Sequence, residues 1–401
     1  MHISPMLEHS LEEYQNRLKK LTEQLRSQGL NAVLITSEPN MRYFTGMRSI
    51  VWESRASNPG ACVITAEGDC LVVSAASNLK TVAHTSWVDL DQMVGFFKKP
   101  AAGEPGTYAD GILSALEKLK LNSGKIGLEI GIAMRMHMGY SDTQKLMAGL
   151  VNFEIVDGAP ALWNCRKIKS QTEIELLRKA NKINEDAIRK SFEGIVRGKT
   201  SEFDLYCAIA AETFKQGCER ILELGIRNGP GRYDLYNCPP SEKILFGTSD
   251  GEICMVDGGP AYHGYYSDII RQACTGKMDA HQQKLFDTAV GALYEGLKHV
   301  APGKKISDAA KAVEDYYDRS GLVQYLRGRG GYGHGIGLDV HEYPMLTTSE
   351  DAVFETGMVM AIEPELCDPE AGVFGIEQNF VVTENGYEIL SDGPDGMYFI
   401  P

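Results

Sequence analysis

Positive charge is scarce in this chain. Its 401 residues carry 40 lysines and arginines against 54 aspartates and glutamates, a formal net charge of −14. Phosphate backbones are held through basic patches, so no nucleic-acid partner is expected. Long apolar runs are also missing. None approaches the roughly 18 residues that cross a bilayer, so no membrane partner is expected either. The opening MHISPMLEHSLEEYQNRLKK has no basic region followed by an apolar core, which argues against a secretory signal. The nine cysteines are scattered, odd in number and never spaced Cys-x-x-Cys. They read as reduced thiols of a cytoplasmic protein, not as a disulfide framework. Gly328-Arg329-Gly330-Gly331 lacks the Lys-Ser/Thr of a phosphate loop and reads as a turn. Histidine is absent between His137 and His263, a gap that matters below.

What is present suits two domains with cores of their own, 1–165 and 166–401. In the first, Leu11, Tyr14, Leu18, Leu21 and Leu25 recur at helical spacing until Gly29. Strands are expected over Ala32–Thr36, over Cys62–Thr65 and Cys70–Ser74 as a hairpin, and over Lys125–Ile130. Helices alternating with strands predict an α/β layer domain. KKPAAGEPG is a loop by composition. The second domain opens on a helix with capping-box spacing at Ser170 and Glu173 and an inward face through Leu176, Ala180, Ile183 and Ala187. Asn228 to Pro240, broken by glycine and proline, is expected to be irregular.

Five side chains of the last third form the set that a two-metal hydrolytic site needs: Asp257, Asp268, His334, Glu363 and Glu377. They sit in VDGGPAYHGYYSDIIR, GHGIGLDVHE, AIEPE and GIEQNFVVTENGYEIL. The two aspartates read as lying on strands joined by a short loop, with pairing able to bring both carboxylates to one face. Glu363 follows the apolar run Met358–Ile362. Glu377 opens a strand that ends at the Asn385-Gly386 turn. Acids within apolar strands are costly to bury unless they are paired or metal-bound.

In this order, these residues resemble the pita-bread metallohydrolase family, which includes methionine aminopeptidase, Xaa-Pro aminopeptidase, prolidase and creatinase. The first domain is similar to the creatinase/prolidase type, best at PNMRYFTG. The resemblance implies an α+β fold, in which a curved antiparallel sheet with helices follows an α/β N-terminal domain. It implies two divalent ions (Mn, Fe, Co or Zn) and a homodimer. Asp257, Asp268, His334, Glu363 and Glu377 would be the ligands, with Asp268 and Glu377 bridging. Glu363 would double as proton acceptor. His341 would contact substrate or move a proton, from what reads as a Leu-Asp-Val-His strand.

One departure stands out. Family peptidases carry a histidine three residues before a proline upstream of the first aspartate. Here those positions are Tyr236 and Asn237. The expected substrate is therefore dipeptide-like or a small carboxylated amide, hydrolysed by an enzyme of the Xaa-Pro peptidase/prolidase type. A lyase resembling the dimethylsulfoniopropionate lyases, a creatinase-like amidinohydrolase and a non-catalytic binding protein are the alternatives. Specificity is expected from the Met47–Arg55 stretch, where Arg48 or Arg55 would hold a carboxylate and Trp52 would pack on the substrate body. Arg232 and Tyr236 are further substrate-binding candidates.

Overall fold

The computed structural model describes residues 4, 6–54, 59–391, 393 and 395–401. The chain forms two compact units, Met1–Arg166 and Lys167–Pro401.

In the first unit, Ser10 accepts the Glu13 N–H at 3.2 Å and starts α1 (Leu11–Ser27), which buries Tyr14, Leu21 and Leu25. Six strands follow: β1 (Ala32–Ile35), β2 (Ala61–Thr65), β3 (Cys70–Ala75), β4 (Met93–Phe96), β5 (Gly124–Leu128) and β6 (Phe153–Asp157). Their order is β4-β3-β2-β1-β5-β6. β2 and β3 form the antiparallel hairpin expected across Ala66–Asp69, whereas β1, β5 and β6 run parallel. Such parallel pairing needs crossover connections. The helices in between are α2 (Glu38–Thr45), α3 (Leu79–Thr85), α4 (Tyr108–Lys118), α5 (Tyr140–Gly149) and α6 (Ala159–Arg166). The core lies between sheet and helices, with Leu34, Val63 and Ile126 packed with Ile112 and Leu146.

The second unit opens with α7 (Gln171–Glu193), capped reciprocally by Ser170 and Glu173. Its inward face runs through Ile174, Leu177, Ala180, Ile183 and Ala187. Leu177 takes the buried place the periodicity gave to Leu176, because the stripe begins a turn earlier at Ile174 and continues three residues on. α8 (Glu202–Lys215) leads to β7 (Arg220–Asn228), β8 (Ile253–Tyr262), β9 (Tyr265–Tyr266) and β10 (Ile269–Thr275). Next come α9 (Ala280–Leu297) and α10 (Ile306–Ser320), then β11 (Gly331–Gly335), β12 (Glu342–Thr347) and β13 (Val359–Ile362). The unit closes with β14 (Glu365–Asp368), β15 (Gly372–Gly375), β16 (Gln378–Thr383), β17 (Gly386–Ile389) and β18 (Tyr398–Ile400). Among the described residues, one sheet has the order β18-β10-β8-β7 with β9 beside β8. A second has the order β12-β11-β13-β16-β17, and β14 and β15 form a ribbon. Leu293, Leu297 and Val313 of the helices bury with Ile362 and Phe380 of the second sheet. That apolar layer lies behind the strands whose ends carry the acids.

Candidate metal centre

Each sheet of the second unit delivers part of the cluster. Asp257 on β8 pairs in register with Ile270 of β10. Asp268, two residues before Ile270, is therefore a diagonal neighbour on the same face. In the other sheet, His334, Ala361 and Asn379 form one row across β11, β13 and β16. Glu363 lies two residues beyond Ala361, and Glu377 two residues before Asn379. The strand period of two puts both on the face of His334.

Close backbone approach fixes these positions. Gly333, beside His334, has φ 151°, and a Cβ there would meet the Ala361 carbonyl oxygen at 2.1 Å. Gly258, beside Asp257, has φ 119°, and a Cβ would meet the Glu223 carbonyl oxygen at 2.2 Å. Only glycine fits either place.

Three overlapping groups bring ligand atoms within 4.8 Å of one another: Asp257, Asp268 and Glu377; His334, Glu363 and Glu377; and Asp268, His334 and His341. Asp268, His334 and Glu377 each belong to two groups. His334 Nε2 stands 3.4 Å from Glu363 and 3.6 Å from Asp268. That nitrogen and both Glu377 carboxylate oxygens are buried without a hydrogen-bond partner among the described residues. A buried carboxylate left so is expensive, and a divalent cation would satisfy all three atoms. The donor set, carboxylates with imidazole, suits Mn, Fe, Co or Zn.

The electrostatics of the bare cluster agree. Burial, then the charge of Asp268, holds Asp257 well above the usual carboxylate range, against the pull of Arg227. Burial, then Asp268 and Glu363, does the same to Glu377. Burial pushes Asp268 up to about 7, although His334 opposes it. Burial alone would lower His334, but the Glu363 carboxylate 3.4 Å away and the charge of Asp268 raise it to about 9. Burial would raise Glu363, but His334 overrides this and lowers it. Four acids this close cannot all ionise without cations among them.

Two cavities adjoin the cluster and share Tyr236, His341 and Glu363. The larger, about 510 Å³, is also lined by Arg327, Tyr332 and Glu365, and the smaller by Glu223, Asp257 and Asp268. Tyr236 comes from the irregular stretch after β7. Its ring lies 4.5 Å from the Arg227 guanidinium and 4.2 Å from that of Arg327. Burial, then Glu365 and Asp257, raises its phenol, which stays a neutral donor. Asn237 takes a left-handed φ of 54°.

The other expected residues lie as follows. His341 is in ring contact with His334, centroids 4.1 Å apart. It follows a bend, not a strand, because Glu342 accepts the Asp339 N–H at 3.2 Å and ion-pairs with Lys169. Arg232 lines neither cavity. It pairs with the buried Glu202 at 3.1 Å and ties the loop to α8. In the first unit, Arg48 pairs with Glu8 at 3.1 Å and donates to the Met6 carbonyl at 2.9 Å. Trp52 is buried edge-on to His137, centroids 5.7 Å apart. Arg55 lies outside the described residues.

Residues 175–384 match metallopeptidase family M24, and residues 17–168 match the creatinase/prolidase N-terminal domain. The chain belongs to metallopeptidase family M24. It is 27% identical over 391 residues to the uncharacterized peptidase YqhT of Bacillus subtilis, covering 96% of this chain and 100% of the relative. It is 26% identical over 380 residues to the Xaa-Pro dipeptidase of Pyrococcus horikoshii, covering 94% and 96%. A solved prolidase from Thermococcus sibiricus shares the fold, with TM-score 0.84 at 19% identity over 98% of this chain and 100% of that one. The M24 chain is thus a metallohydrolase of a divalent-metal-dependent family, with a pita-bread domain after a creatinase/prolidase-type domain.

Several supporting residues of this M24 centre escaped sequence reasoning. Arg227, buried on β7, donates to Asp257 at 3.2 Å and twice to Glu365, at 2.9 and 2.6 Å. Asn379 exchanges hydrogen bonds with the Asp268 backbone, accepting at 3.1 Å and donating at 2.6 Å. Arg271, fully buried, donates to the Glu377 carbonyl at 2.8 Å and pairs with Glu185 at 2.7 Å. Asn379 carried a signal, since it lies on the Glu377 face of its strand. The arginines carried none beyond being cations in apolar strands.

Proposed function

We propose that the protein is a dinuclear-metal hydrolase of the Xaa-Pro dipeptidase type, acting on dipeptide-like substrates. The observation that carries this reading is the convergence of Asp257, Asp268, His334, Glu363 and Glu377, with Asp268 and Glu377 shared between groups. Divalent ions held there would supply Lewis acidity for a substrate carbonyl and for water. Asp257, Asp268 and Glu377 would hold one ion, and His334 and Glu363 with the two shared carboxylates the other.

The remaining work falls to the chain's own groups. Glu363 lines both cavities and takes the proton of the attacking water. The carbonyl carbon gains the water oxygen, the C–N bond breaks, and the proton passes to the departing nitrogen. His341 touches the substrate from beside His334. Tyr236 or Asn237, the two candidates for the place of the family histidine, donates a hydrogen bond without relaying protons. Arg48, Trp52 and Arg55 belong to this reading as a specificity loop. So do manganese as the working metal, a homodimer, a cytoplasmic setting and the absence of nucleic-acid and membrane partners. No helix among the described residues is long and apolar enough to cross a membrane.

The test is to load the protein with Mn and offer Xaa-Pro dipeptides. Proline release that stops on chelation is expected. Failure to release proline from any of them, or a product of elimination without water uptake from another substrate, would overturn the reading.

A further inference from the structure

His341 lines both cavities, yet among the described residues no hydrogen bond holds its imidazole. Its ring leans on that of His334. Beyond that contact, its place depends on the bend over residues 337–341 that carries it.

The bend closes around a carboxylate. Glu342, the first residue of β12, has a side chain only 1% exposed. One of its oxygens accepts the Asp339 N–H at 3.2 Å, and a Cβ on Gly337 would meet both oxygens at 2.7 Å. The carboxylate therefore fills the inside of the turn. From outside, the Gly337 carbonyl accepts the Tyr266 N–H at 2.8 Å. An acid buried so deeply needs a counter-charge. Lys169 supplies it, its ammonium 3.1 Å from the second oxygen and its side chain 2% exposed. The lysine is itself anchored. Its N–H donates to the Gly357 carbonyl at 2.9 Å, and Ser170 beside it caps α7. Neither partner of this ion pair lines a cavity.

We propose that Lys169 is a positioning residue of the reaction: through the Glu342 carboxylate it holds the 337–341 bend and so keeps the His341 imidazole turned to the substrate. The proposal rests on the peptidase reading and deepens it. Without the ammonium, Glu342 is left to take up a proton or to turn towards water. Either way the Asp339 N–H loses a charged acceptor, and charged acceptors make the stronger bonds. The bend then loosens, while the candidate ligands keep their strand pairing.

The test is a double-mutant cycle on the Mn-loaded protein with Leu-Pro, crossing Lys169→Met with His341→Ala. Lys169→Met should lower kcat/KM about tenfold in the wild-type background and by less than about twofold in the His341→Ala background. Elemental analysis should find the same Mn content as in the wild type. Lys169→Arg, which keeps the charge, should recover part of the loss. A second readout does not depend on turnover. Hydrogen exchange at the Asp339 and Val340 amides, both bonded within the bend, should quicken about tenfold or more in Lys169→Met, with the Asp268 amide unchanged. If Lys169→Met does not fold, the double variant Lys169→Met/Glu342→Gln, which leaves no buried charge alone, replaces it in both measurements. Equal rate factors in the two backgrounds, or unchanged exchange at Asp339, would overturn the proposal. A wild type inactive on all Xaa-Pro dipeptides would instead overturn the peptidase reading, and the exchange measurement still decides whether Lys169 holds the bend.

Discussion

Glu377 has both carboxylate oxygens buried without a hydrogen-bond partner among the described residues, a condition stable only if the acid is protonated or metal-bound. Glu377→Ala and Asp268→Ala should each lose both metals, since theirs are the carboxylates proposed to be shared by the two ions. Asp257→Ala and His334→Ala should keep about one ion per chain, and all four should lower the rate by orders of magnitude. Elemental analysis of the reconstituted variants checks the stoichiometry. Arg227 makes a second prediction. Its side chain is 4% exposed and that of Glu365 9%, so Arg227→Met strands a buried acid at a cost of about 3–5 kcal/mol. Denaturant titration should show this, with Arg227→Lys losing less. These residues differed in legibility for a physical reason. The five candidate ligands each interrupt an apolar or glycine-rich run, and such interruptions need a purpose. Arg227 acquires its partners only when β7 is laid beside β8, and no local pattern announces a register.

At the scale of elements, alternation and turn chemistry revealed the β2–β3 hairpin and the strands around the acids. The shared face of Asp257 and Asp268 followed from the same period. The Leu338–His341 segment was misread as a strand because its apolar spacing is strand-like, whereas the Glu342 carboxylate holds the backbone in a bend. A long-range ion pair to Lys169 decided that shape, and spacing cannot show it. The approach of β13 to β11 leads to a third prediction. Gly333→Ala would place a Cβ 2.1 Å from the Ala361 carbonyl. It should cost about 3 kcal/mol or more and weaken metal binding through the displaced His334. Gly303→Ala is the control. Its φ of 81° is also left-handed, but nothing lies within 4 Å of the new methyl, so about 1 kcal/mol is expected. Thermal melts with and without Mn separate the two.

For the whole molecule, the acids make stability depend on pH when metal is absent. Asp257, Asp268 and Glu377 hold protons in the folded state that the unfolded chain releases near the ordinary carboxylate range. The folded state then binds more protons, so stability falls as pH rises from that range through about 7 for Asp268. His334, raised to about 9, has the same sign and extends the loss upward. Glu363 and His341, both lowered, oppose it. Bound cations remove the need for these protons. Adding Mn should therefore raise the melting temperature more at pH 8 than at pH 5, and an equal or reversed gain would contradict the assignment. The sharing of ligands between sheets has a mechanical consequence as well. Asp257 and Asp268 hang from β8 and β10, while His334, Glu363 and Glu377 hang from β11, β13 and β16. Ions bound there rivet one seam of the domain. Their departure requires the seam to part, so metal exchange should keep time with hydrogen exchange at the Asp268 and Glu377 amides, which bond across it, and not with diffusion of the ion.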